Sequence, residues 1–143
     1  MKKLLNLIFI LISLTIFSQT QNPILEWEQS YGGSRVDRLN SIIPTSDGGY
    51  LLGGYTDSND GDVQSGIQGR YDYWVVKINS MGTIEWEQTY GGSDTDELYS
   101  TLPTSDGGYL LGGYTESNDG DVQSGNHGEV DSWVVKINSS STI

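Results

Sequence analysis

Cysteine is missing from all 143 residues, and so is alanine. Without a thiol there is no disulfide framework, no thiolate nucleophile and no lipid-modified cysteine at the N-terminus. Histidine occurs once, at His127, so neither a histidine-based metal site nor a His-activated nucleophile has its parts. Serines abound, yet none sits in a Gly-x-Ser-x-Gly elbow. Basic residues are few, with 7 Lys and Arg against 19 Asp and Glu and a formal net charge of −12. A surface this acidic repels phosphate backbones, which excludes nucleic acid as a partner. The lack of alanine beside 19 glycines argues against helices and for many turns.

Long apolar runs are also absent, with one exception at the N-terminus. Lys2 and Lys3 precede an apolar stretch over residues 4–17, and Ser18 leads into the polar sequence QTQNP. This is the layout of a secretory signal peptide over residues 1–18, and the apolar stretch is short for a membrane span. An uncleaved anchor is the competing reading. The expected mature protein is secreted or held at the cell surface, with no membrane contact after cleavage. Losing Lys2 and Lys3 takes the net charge from −12 to −14. Such a surface suits solubility and leaves carboxylates available to divalent cations.

What the chain does have, it has twice. Trp27 matches Trp86, Tyr31 matches Tyr90, Asp47 matches Asp106 and Trp74 matches Trp133, each pair 59 residues apart. Residues 25–84 and 84–143 are identical at 44 of 60 aligned positions, without insertion or deletion. The division is therefore one repeat over 25–83 and a second over 84–143. Within a unit, alternation and turn signals predict four strands: RLNSIIPT, YLLGGYT, YWVVKIN and IEWEQTY. The Asp-Gly pair in SDGG supplies the positive φ of a tight hairpin. By the same pattern, ILEWEQ near residue 25 reads as a fourth strand that precedes the first. WVVKI is nearly all apolar, as expected of a strand covered on both faces. The expected fold class is all-β, with two tandem four-stranded antiparallel propeller-type blades after a helical signal peptide.

The residues SDGGYLLGGYT, a variable loop, then DYWVVKINSMGTIEW resemble the blades of secreted bacterial β-propeller repeat proteins of the delta-60 type. Gly53, Gly54 and the tryptophans that follow resemble Kelch blades as well, with different aromatic spacing. The likeness covers both repeats and implies fold more than function. Two blades cannot close a ring, so an apolar face would stay exposed in an isolated pair. Either the chain belongs to a longer array, which near-identical repeats favour, or several chains assemble into one propeller.

The stretch SNDGDVQSG stands at residues 58–66 and again at 117–125. A calcium reading would use Asp57, Asn59, Asp60 and Asp62, with Asn118, Asp119 and Asp121 in the second copy. In an EF-type register Gly61 takes the sixth place, which puts Thr56 first and leaves the first ligand missing. The competing reading is that Asn, Asp and Gly serve backbone turns. In a propeller this loop would emerge beside YGGS. That makes Tyr31, Tyr90, Asn59, Asp60, Asp62, Asn118, Asp119 and Asp121 a candidate ligand-binding rim, with aromatic rings beside hydrogen-bonding groups as in sugar sites. Packing between blades is the alternative role for the tyrosines. A glycosidase would need two carboxylates flanking a cleft, whereas the carboxylates shared by both copies are also explained by turns and edges. The expected function is that of an exported, non-catalytic repeat protein binding an extracellular protein or polysaccharide. The alternatives are a lectin of oligomerised two-blade chains and a fragment of a glycoside-active enzyme.

Overall fold

The computed structural model of the protein describes residues 23–139. The predicted signal peptide lies outside the described residues, as do residues 140–143. The described chain is all-β and contains no helix. Strands β1 (Asp37–Pro44), β2 (Tyr50–Thr56), β3 (Asp72–Ile78) and β4 (Ile84–Tyr90) form one antiparallel sheet in chain order. Strands β5 (Asp96–Pro103), β6 (Tyr109–Thr115) and β7 (Asp131–Ile137) form a second, three-stranded sheet of the same order. The first sheet thus crosses the repeat division at residue 84, because its last strand comes from the second repeat.

Local chemistry sets each hairpin. Between β1 and β2, Gly48 takes φ 86, which a side chain would resist. Asp47 Oδ1 accepts the Gly49 N–H at 3.0 Å and closes the turn. Lys77 Nζ, buried on β3, lies 2.9 Å from Asp47 and 2.6 Å from Glu85, tying this turn to the start of β4. Residues 24–29, read from sequence as a strand, pair with no strand among the described residues. Their copy in the second repeat is β4, which does pair, so the difference lies in the available edge and not in the residues.

The two sheets stack through β5, which packs against β1, β2 and β3. Leu51, Tyr73 and Val75 of the first sheet meet Leu98, Leu111 and Trp133 of the second in one buried cluster. The Tyr73 ring centroid lies 4.8 Å from that of Trp133, and its hydroxyl donates to the Trp133 carbonyl at 3.0 Å. Asn40 Nδ2 donates to the Leu98 carbonyl at 2.7 Å, and the hydroxyls of Ser41 and Thr101 are 2.6 Å apart. A second cluster, with Leu52, Val63, Trp74, Val76 and Ile78, lies on the far face of the first sheet. It is only partly covered by the incoming chain at Tyr31. The expectation that WVVKI is covered on both faces holds for β3, buried at every residue. It fails for β7, where Ser132, Val134 and Lys136 are exposed because no sheet among the described residues covers that side.

Candidate functional site

The connector entering each sheet is irregular, so its backbone donors need partners from elsewhere. The loop after the sheet's second strand supplies them. Gly32 N–H donates to Asp62 at 3.1 Å, Ser34 N–H to Asp60 at 2.7 Å, Arg35 N–H to Ser58 Oγ at 3.0 Å and Val36 N–H to Asp57 at 2.7 Å. Gly33 N–H donates to Asp37 at 2.8 Å. Consecutive amides from Gly32 to Val36 are all taken by side-chain oxygens.

The second copy repeats this clasp almost atom for atom. Gly91 N–H reaches Asp121 at 3.2 Å, Gly92 N–H reaches Asp96 at 2.8 Å, Ser93 N–H reaches Asp119 at 2.7 Å and Asp94 N–H reaches Ser117 at 3.0 Å. The aspartate acceptors make these bonds charge-assisted, and those to Ser58 and Ser117 are neutral. Donation from Ser34 holds the Asp60 carboxyl below its ordinary range. SNDGDVQSG is therefore first a fastener for the joint between successive sheets.

The candidate rim and cation residues are accounted for one by one. Asp57, Asp60, Asp62, Asp119 and Asp121 each accept from the connector or, for Asp121, also from Gln68 Nε2 at 3.1 Å. Asn118 Oδ1 accepts the Asn126 N–H at 2.8 Å, and Asn59 Oδ1 lies over Gly66 at the matching place. Among the described residues no three or more His, Asp or Glu converge to hold a metal ion. Tyr90 is buried in the inter-sheet cluster. Tyr31, its counterpart, is half-buried, donates to the Gly82 carbonyl at 2.6 Å, and borders an open cavity of about 320 Å³ with Gln29 and Asp62. The structure thus brings Tyr31 to Asp62 and places Tyr90 in the core.

Sequence reasoning missed the aspartates that begin strands. Asp37 Oδ1 accepts the Thr56 hydroxyl at 2.6 Å, and its Oδ2 accepts Ser58 Oγ at 3.1 Å besides Gly33. Asp96 is fully buried, with Oδ1 unpartnered. Asp72, also fully buried, accepts Gln68 N–H at 2.7 Å, and burial pushes its carboxyl up to about 6. The available signal was Asp37, Asp72 and their copies Asp96 and Asp131 at the heads of strands, where aspartate is otherwise disfavoured.

Among the described residues, two sheet faces remain open. On the first sheet Leu39 and Ile42 are 51% and 57% exposed, whereas their counterparts Leu98 and Thr101 are 0% and 2% exposed. On the second sheet Val134 is 63% exposed, whereas its counterpart Val75 is fully buried. Leu39 and Leu52 with Trp74 and Val76 line a groove of about 150 Å³ on the first of these faces. No known family matches this chain, and no curated protein matches it.

Proposed function

We propose that the chain is an exported, non-catalytic repeat protein of the β-propeller type that binds a partner or polymer at or outside the cell surface. The observation carrying this reading is the open apolar face around Leu39 and Ile42, whose counterpart inside the molecule is fully covered. Contiguous exposed apolar surface of this kind marks interaction sites. The absence of chemistry is supported by the use of the loop carboxylates and Ser58 as acceptors for connector amides. A carboxylate so engaged is neither a poised acid nor a free nucleophile.

Incubating the exported chain with insoluble extracellular polysaccharides tests this reading. Saturable retention without release of reducing ends is expected, with retention lost in Leu39→Asp combined with Ile42→Asp. Steady release of soluble sugar overturns it, and so does retention that is unchanged in that double variant.

A lectin is the second reading, favoured by the cavity where the Tyr31 ring stands beside Gln29 and Asp62. An aromatic face next to hydrogen-bonding groups is the usual composition of a sugar site. Glycan-array binding that disappears in Tyr31→Ala, while the Leu39 and Ile42 pair is intact, favours this second reading.

A further inference from the structure

We propose that chains assemble head to tail, the outer face of the second sheet in one copy docking on the open face of the first sheet in the next. In the same contact, residues 25–31 of that next copy add a fourth strand to β7. The inference rests on reading the open faces as binding surfaces, and it names a second copy of this chain as the occupant.

The template is the seam already inside the molecule, because the two repeats are identical at 44 of 60 positions at a spacing of 59 residues and their strands pair in the same register. There Gly53 faces Leu98 and Thr101 of the neighbouring sheet; a Cβ on Gly53 would stand 2.9 Å from Leu98 Cδ2 and 2.5 Å from Thr101 Cγ2. Moving one repeat along, Gly112 of one copy faces Leu39 and Ile42 of the next. Nothing lies nearer than 4.0 Å to a Cβ on Gly112, so that space is open to receive them.

The strand register follows from the same shift. β4 pairs with β3 so that Gln88 opposes Val75 and Glu87 opposes Val76. Residues 25–31 share five of seven residues with β4, and in this register Gln29 opposes Val134 and Glu28 opposes Val135. Side chains fit the arrangement. Glu87 accepts Trp74 Nε1 at 2.9 Å and the amides of Gln64 and Ser65 at 3.1 and 2.7 Å. Glu28 meets the copies of those donors on Trp133, Gln123 and Ser124 only across two chains. Likewise Lys77 has both Asp47 and Glu85, whereas Lys136 pairs with Asp106 and would gain Glu26.

Charge identifies the occupant as another copy. Between the repeats the sign of charge reverses at three positions only: Arg35 becomes Asp94, Arg38 becomes Glu97 and Arg70 becomes Glu129. All three lie at the seam. Inside the molecule the Arg70 N–H donates to the Asp94 carbonyl at 3.0 Å, which brings those two side chains' positions together. Arg38 and Glu97 act with opposite sign on Tyr55 and on Tyr99. In the head-to-tail contact the first pair becomes Glu129 with Arg35, and the second becomes Glu97 with Arg38. Residues of opposite sign thus stand on the two sides of both seams, the internal ones near each other without a direct ion pair, since the Arg70 guanidinium lies over the Tyr71 ring. Identical sheets would have placed like charges together. The external seam is the weaker one, since Ser132 replaces Tyr73 and cannot copy its bond to the facing tryptophan carbonyl. A contact between unlike faces closes into a ring or runs on. Propellers of about four to eight blades correspond to about two to four copies.

Sedimentation velocity on the exported full chain across a dilution series, with chemical cross-linking alongside, tests the arrangement. A discrete oligomer of two to four copies that dissociates on dilution is expected. Gly112→Val should give a folded monomer with unchanged far-UV dichroism. Arg35→Glu should weaken self-association about fivefold per seam, and adding Glu129→Arg should restore it. Because the chain has no cysteine, Gln29→Cys combined with Val134→Cys should give an oxidised ladder that neither single variant gives. A wild-type monomer at high micromolar concentration overturns the proposal, and so does an oligomer indifferent to Gly112→Val. A monomer that still retains polysaccharide sinks this inference and leaves the binding reading standing. An oligomer that degrades polysaccharide does the reverse.

Discussion

Replacing Asp72 by Asn isolates the cost of one buried charge. Asp72 begins β3 with no exposed surface. Burial holds its carboxyl at about 6 against an ordinary 3.8, the N–H groups of Gln68 and Gly69 pulling it down and the nearby Asp96 and Asp121 pushing it up. A carboxyl with a raised folded value binds its proton more tightly in the folded chain. Below pH 3.8 it is protonated in both states, and its contribution to stability is fully present. As pH rises through about 6 the folded chain must carry a buried anion, and that contribution is lost. A gap of about two units corresponds to about 3 kcal/mol. Asn keeps an acceptor for Gln68 and never ionises. Urea denaturation of wild type and Asp72→Asn at pH 4 and pH 8, at concentrations where both are monomeric, measures the difference. Because the unfolded carboxyl is already partly ionised at pH 4, the Asp72→Asn variant should gain about 2.5 kcal/mol over wild type between the two pH values. Carboxyls held low, such as Asp47 bonded to Thr45 and Lys77, lose their contribution as pH falls. They act alike in both proteins and cancel. A stability difference independent of pH refutes the reasoning.

Two further outcomes are expected. Gly53→Ala forces a methyl group onto Thr101 and Leu98 and should destabilise the monomer by about 1–3 kcal/mol, whereas Gly112→Ala, in open space, should change it by less than about 0.5 kcal/mol; equal losses in chemical denaturation would contradict the seam. Millimolar calcium should leave Tm unchanged, because Asp60, Asp62, Asp119 and Asp121 already serve backbone amides; a saturable rise would restore the cation reading.

Much of the strand plan was legible from residues alone. YLLGGYT and IEWEQTY coincide with β2 and β4, because turn residues bracket them. Coverage was not legible. DYWVVKI and DSWVVKI differ at one residue, yet the first is buried throughout and the second on alternate residues only. Burial there is decided by whether another sheet lies alongside, which no single strand encodes. The same reason separates residues 24–29 from β4. The clasp was hidden for a different cause. Asp57, Asp60 and Asp62 have the composition of a cation loop or of a turn, and their true partners lie 21 to 30 residues upstream in backbone amides, which carry no residue signature.

Each unit of 59 residues carries, in its own loop, the acceptors that fix the connector leading into it, so the angle of the joint travels with the sheet. A stretch of gene that encodes both a building block and its coupling can be multiplied in frame without inventing new geometry. Recombination between two such similar copies would change the number of sheets and leave every joint intact. Divergence is then free to act elsewhere. The three charge reversals stand where it would matter most, telling one copy's neighbour from another's while the coupling itself stays unchanged.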